Sequence, residues 1–205
     1  QAKDGYRNCK VISILKKNKK KISELKKKYK DINFYFDEKK FFSENEFNLV
    51  SIASYDEFHY QQIMQSIKKR CHIIVEKPVC LSQNELKKIH KQLEINPKIY
   101  FTSNFVLRKN SLFNEIKKEI KKKEVYHIEA SYLWGRKQKL FQWRSKTKDY
   151  SLTLGAAIHV LDLVCWLLNS KPVSVFTKVS NKVTKNKSFK KFSFASYIFT
   201  FPENI

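Results

Sequence analysis

The chain has 205 residues, 42% hydrophobic and 14% aromatic, which is enough apolar material to bury a core and excludes a disordered chain. Its formal charge of +23 invites an anionic partner, yet Arg stands only at positions 7, 70, 108, 136 and 144 and the rest of the 42 basic residues are Lys. Lysine is the strongly hydrated surface cation, whereas phosphate and base forks favour arginine, so neither nucleic acid nor a membrane is the expected partner.

Taken in order, residues 10–15 (KVISIL) read as a strand, and 20–29 as a helix with Ile22, Leu25 and Tyr29 on its apolar side. Strands follow at 33–36 and 47–54, then a helix at 57–70 carrying Ile63, Met64 and Ile67. Ile73, Ile74 and Val75 form a short continuous apolar run, the pattern of a strand buried on both faces. Pro78 closes it, and Ser82 with Glu85 has the spacing of a capping box. A helix is therefore expected from Ser82, with Leu86, Ile89 and Leu93 buried, and a strand at 98–102. Strands alternating with helices of this length predict a parallel sheet with right-handed crossovers.

A dinucleotide-binding sheet opens with strand, G-x-G-x-x-G turn and helix. Only Gly5 precedes Gly135, so that turn is not in this sequence. The chain reads as one lacking a first strand-turn-helix unit of roughly 30 residues; the other reading is a relative that has lost the function.

From position 105 the pattern changes. Residues 111–121 make an amphipathic helix (Leu112, Phe113, Ile116, Ile120), and 125–134 alternate as an antiparallel strand would. Two more strands are expected at 173–179 and 194–201, with a helix at 155–168 that is apolar nearly all round and so expected to be buried. The fold class is thus α/β: an incomplete Rossmann sheet over 1–104, then an α+β domain over 105–205 with a mostly antiparallel open sheet. The last strand runs almost to Ile205 with an open edge, so truncation is expected at this end also.

Cys9, Cys71, Cys80 and Cys165 show no metal spacing, and nothing resembles a signal peptide or a membrane span. Free thiols, no metal and a cytoplasmic location are the expectation. Glu76 and Lys77 end a rigid strand on the side where ligands bind in open α/β sheets. In the second half His159, Asp162 and Trp166 share a helix face. Either His159 and Asp162 satisfy one another or nearby backbone, or that face looks across a cleft at Lys77.

The ordered set of VEKPVCLS (75–82), ASYDEFHYQQI (53–63), NFVLR (104–108), QWR (142–144), GAAIHVLDLVCWLL (155–168) and KPVSV (171–175) resembles the Gfo/Idh/MocA oxidoreductases and spans nearly the whole chain. The resemblance implies a nicotinamide-dependent enzyme acting on a hydroxyl of a sugar, cyclitol or sugar nucleotide, inactive as this piece alone. A noncatalytic carbohydrate-binding protein of the same fold is the alternative. The resemblance implies catalytic roles for Lys77 and His159 and places Ser54, Glu76, Asn104, Trp143 and Arg144, with Lys77, toward the cofactor. Arg108, Tyr132 and Asp162 are expected on the substrate side. Many members carry Asp four residues before the helix histidine, where this chain has Gly155. The acidic residue that would hold the ribose is replaced by Lys16, followed by Lys17, which suits a 2′-phosphate and so NADP(H) over NAD(H). Such enzymes commonly associate through the second-domain sheet, so a homo-oligomer is expected.

Overall fold

The computed structural model describes residues 9–147, 150–185, 188–189 and 191–202. Its first half is built from five short parallel strands, β1 (Ser13–Leu15), β2 (Asn33–Tyr35), β3 (Leu49–Ile52), β4 (His72–Val75) and β5 (Phe101–Ser103). Four helices lie between them: α1 (Lys19–Lys28), α2 (Glu38–Ser43), α3 (Asp56–Lys68) and α4 (Gln83–Ile95). Local chemistry starts the helices. Asn18 and Asp37 side chains accept from the amides of Lys21 and Lys40, at 3.0 and 2.8 Å. At α4 the capping box forms as read, with the Glu85 amide donating to Ser82 Oγ at 3.2 Å and the Glu85 carboxylate accepting from the Ser82 amide at 3.2 Å. A cap of this kind is worth about 1 kcal/mol.

The face of β4 carrying Ile73 and Val75 is sealed by Ile63 and Ile67 of α3 and Ile89 of α4. Burial on both faces was the expectation, but Ile74 keeps 38% of its surface, because α3 and α4 cover the opposite side. Leu86, expected inside, is 50% exposed, since α4 meets the cluster from Ile89 onward. Helix α2 was not foreseen. It drives Phe41 and Phe42 inward against Phe47, with ring centroids 5.4 and 5.9 Å from it, and two adjacent aromatic residues define no period in a sequence.

The parallel strands form two sheets, β2–β1 and β3–β4–β5, sharing one core to which Leu15 and Tyr35 contribute from the first and Val50, Ile52 and Val75 from the second. In the doubly wound order 3-2-1-4-5-6, with β1 and β2 taken as strands 2 and 3, the break between β1 and β3 falls at strand 1.

The second half begins with a 3₁₀ turn (Val106–Lys109) and α5 (Ser111–Ile120). A 3₁₀ segment (Lys137–Phe141) leads to the short α6 (Trp143–Lys146), and a π turn (Thr153–Ala157) runs into α7 (Ile158–Leu168). Asn169, left-handed at φ 52°, ends α7. Strands β6 (Ser174–Ser180) and β7 (Phe194–Thr200) pair antiparallel, with Phe176 opposite Ile198. Two expectations fail here. Residues 125–134 form no strand, because alternation becomes a strand only where a neighbouring backbone completes the ladder, and β6 and β7 pair with each other; Tyr126 and Leu133 remain 86% and 93% exposed. Helix α7 is buried only at Leu163 and Leu167, since it packs on α5 and the 3₁₀ turn along one side and leaves another facing the first half. Among the described residues no helix is long and apolar enough to cross a membrane.

Candidate active site

The carboxyl ends of β3, β4 and β5 converge. The Glu76 amide donates to Ile52 O at 2.9 Å and the Asn104 amide to Val75 O at 2.8 Å, so the ladder sets both residues at the sheet's rim. There Asn104 Nδ2 donates to Glu76 Oε1 at 2.6 Å. Ser54, exposed after β3, donates from Oγ to Gln62 Oε1 at 2.8 Å. Beneath this rim His59 is fully buried, its Nδ1 2.6 Å from Pro78 O and its Nε2 3.2 Å from Ser54 O. Both partners are backbone carbonyl oxygens, which only accept. His59 thereby ties the loop after β3 to the loop carrying Lys77, whose bond to Pro78 is cis.

Lys77 reaches out of the first half and donates from Nζ to Gly155 O in the π turn, at 2.5 Å. His159 stands four residues further along the same helical run, with Nδ1 buried and without a hydrogen-bond partner among the described residues. The Tyr132 ring stacks on it at 5.9 Å and 18°. Burial pushes the His159 pKa below 6.5, and the Lys77 charge pushes in the same direction against the opposing pull of Glu76 and Asp162. His159 is therefore neutral at pH 7. Burial also lowers Lys77, while the carboxylates of Asp56 and Glu76 hold its charge on and Arg144 works against it. Asp56, at the first turn of α3, is itself raised by burial and lowered by His59 and Lys77.

Aromatic rings close one side. Trp143 lies on Tyr55 with centroids 4.8 Å apart, joining the loop after β3 to α6. The Arg144 guanidinium sits over Trp143, Tyr150 and Trp134 at 4.3, 5.4 and 5.1 Å, and its buried Nε has no hydrogen-bond partner among the described residues.

Of the residues singled out from sequence, Lys77, Glu76, Asn104, His159 and Tyr132 gather at this junction, with Trp143 and Arg144 on its rim. Asp162 does not bond His159. It takes a bidentate pair from Arg108, Nε to Oδ2 at 2.8 Å and Nη2 to Oδ1, which straps α7 to the turn after β5. Lys16 is exposed beyond β1, and Lys17 Nζ lies 4.3 Å over the Phe58 ring. Sequence reasoning assigned no role to His59, Asp56 or Tyr150. The position of Asp56 in the first turn of a helix after a strand was a usable signal; the partners of His59 and Tyr150 are set by folding and carried none.

Chemically, the cluster pairs an ammonium with a neutral imidazole beside orphaned polar atoms: His159 Nδ1, Arg144 Nε and, at the end of β5, Ser103 Oγ. Open donors and acceptors at a strand end (Ser103) and on the facing helices (Arg144, His159) fit the amide and ring of a nicotinamide. The phosphate end has no Gly-rich turn in this sequence.

A family model described as an oxidoreductase family with an NAD-binding Rossmann fold matches residues 1–104, and a GFO/IDH/MocA C-terminal domain model matches residues 118–205. No curated protein matches the chain. Among solved structures, scyllo-inositol dehydrogenase from Lactobacillus casei, crystallised with NAD(H) and scyllo-inositol, is similar at 14% identity with a TM-score of 0.89, covering 99% of this chain and 62% of its own. Myo-inositol 2-dehydrogenase from Lactobacillus plantarum follows at 15% identity and a TM-score of 0.86, covering 98% and 61%. An NAD-binding protein from Listeria innocua shares 20% identity at a TM-score of 0.79, covering 100% and 59%. The chain spans about three fifths of the length of these structures. At such identities the likeness establishes the fold.

Proposed function

Because the chain belongs to the GFO/IDH/MocA oxidoreductase family, we propose that it forms the reacting end of a nicotinamide-dependent dehydrogenase acting on a hydroxyl of a sugar, cyclitol or sugar nucleotide. The observation that carries this reading is the meeting of Lys77, from the end of β4, with the turn leading into His159. A polyol such as the scyllo-inositol named for one similar structure is the kind of substrate such a site suits.

When bound, the nicotinamide supplies the ring that exchanges hydride. Glu76, Lys77, Asn104 and Ser54 would hold its reactive end, and Trp143 with Arg144 would keep water off one side. His159, neutral at pH 7, takes the hydroxyl proton of the substrate. Lys77 as ammonium stabilises the alkoxide that develops. Tyr132 lies over the imidazole and borders the substrate, and Arg108 with Asp162 holds α7 at its rim.

The parallel sheet's break between β1 and β3 supports a further strand-turn-helix unit that brings the phosphate-binding turn. Lys16 and Lys17 follow β1, where the ribose would lie, and would favour NADP(H). Titrating a protein that carries that unit with NADPH and NADH, followed by cofactor fluorescence, is expected to show binding of both and tighter binding of NADPH. Tighter NADH binding overturns the preference, and no binding of either leaves a noncatalytic carbohydrate-binding protein.

The outer face of β6–β7 presents Phe176, Ile198 and Phe194, 66%, 65% and 57% exposed. A like face on a second copy covers them in an isologous dimer. Phe176→Lys with Ile198→Lys is expected to shift the protein from dimer to monomer in light scattering; an unchanged mass sinks that assignment. A reducing, cytoplasmic setting accords with the free Cys9, Cys71, Cys80 and Cys165.

A further inference from the structure

We infer that Tyr150 is a positioning residue for Lys77: its ring occupies the volume a side chain at position 155 would fill, and so fixes the carbonyl on which the Lys77 ammonium rests. Gly155 is not at a positive φ, so its backbone suits any residue. Space is what excludes one. A Cβ at 155 would lie 2.1, 2.3 and 2.6 Å from Oη, Cζ and Cε2 of Tyr150, far inside contact distance. The ring has little room to retreat. Tyr150 is 3% exposed, with Trp143 and Phe189 against it edge-on at 5.7 and 6.1 Å and the Arg144 guanidinium over it at 5.4 Å.

The turn is also held from its other side. Thr153 Oγ1 and Tyr197 Oη are 2.5 Å apart, the Leu154 amide donates to Ser151 Oγ at 3.1 Å, and the Gly155 amide donates to Ser151 O at 2.9 Å. A π turn is an uncommon geometry that recurs at functional sites. Here it aims Gly155 O at Lys77 Nζ, and the phenol ring at Cα prevents it from tightening into an ordinary helical turn that would turn that carbonyl away. The geometry stands by itself; its catalytic consequence rests on the dehydrogenase reading above.

The test follows Lys77 directly by peptide-resolved competitive acetylation across a pH series, in the parent protein, in Gly155→Ala and in Tyr150→Ala. An ammonium that loses its carbonyl acceptor in a partly buried site deprotonates at lower pH, so Gly155→Ala, which pushes the turn off the ring, shifts the Lys77 profile downward. With the ring removed the turn is free to tighten, and Tyr150→Ala shifts the profile the same way. In the dehydrogenase assay each variant loses roughly tenfold or more in kcat with a smaller change in KM, as misplacement by an ångström or less allows. A Lys77 profile unchanged in Gly155→Ala overturns the inference, as does a Tyr150→Ala protein that is folded by circular dichroism yet keeps the parent profile. Should either variant fail to fold, the other decides: a folded protein with a lowered Lys77 profile supports the inference, and a folded one with the parent profile overturns it.

Discussion

On the proposed dehydrogenase reading, Lys77→Met in the complete enzyme is expected to lower kcat for hydride transfer by about 10²- to 10³-fold, the loss that follows when a single preorganised donor to a developing oxyanion is removed. Methionine keeps much of the stem and none of the charge, so the β4 end stays packed while the ammonium goes. The buried strand beneath it, with Val75 at 0% exposure, does not depend on Nζ. Cofactor affinity should change far less than kcat, because Glu76 and Asn104 are set by the sheet ladder. The pH dependence adds a second readout. Burial lowers the Lys77 pKa below that of an ordinary lysine, with Asp56 and Glu76 resisting. If the ammonium is the working form, activity falls on the alkaline side as Lys77 deprotonates, at a pH below 10.5, and Asp56→Asn draws that limb lower still by removing the carboxylate that favours the charge. Steady-state rates across pH check both. A Lys77→Met protein with parent turnover would remove the β4 end from the chemistry.

How far the sequence foretold this arrangement depended on the range of the interactions. The Ser82–Glu85 box and the stripe at Ile63 and Ile67 are decided within four residues, and both formed as read. The alternation at 125–134 was equally regular and formed no strand, since a ladder needs a partner that periodicity does not supply. At the site, Lys77 and His159 were legible from their elements, because a strand end and a helix face deliver side chains in known directions. What lay between them was not. The Lys77 acceptor is a backbone carbonyl 78 positions away, exposed by a π turn that no residue pattern announces, and Gly155 reads in sequence as a missing side chain although Tyr150 fills the place. Asp162 illustrates the converse: its helical register with His159 was correct, but Arg108, 54 positions away, offers two donors in a fork and takes the carboxylate.

On the same reading, His159→Asn in the complete enzyme is expected to lower kcat by about 10²- to 10⁴-fold, the range for loss of a positioned general base. Asparagine is close in size and cannot take the proton. With His159 as the proposed base, it is expected to set the parent's acid limb, and burial first and the Lys77 charge second push its pKa down from the ordinary histidine value. Activity therefore persists to more acidic pH than an ordinary histidine allows and then falls, and in His159→Asn this limb vanishes along with the rate. Lys77→Met acts on the same limb in the opposite sense: with the neighbouring cation gone, His159 binds its proton more readily and the limb moves to higher pH. Stability follows the same proton. Since the folded state holds it more weakly than the unfolded chain does, the His159 contribution is complete above about 6.5 and is lost as pH falls toward the folded value. His159→Asn should then unfold less readily on mild acidification than the parent, as measured by denaturant midpoints at neutral and weakly acidic pH. Equal pH dependence of those midpoints in the two proteins, or a rate unaffected by the substitution, would show that the imidazole is packed beside Lys77 without exchanging protons there.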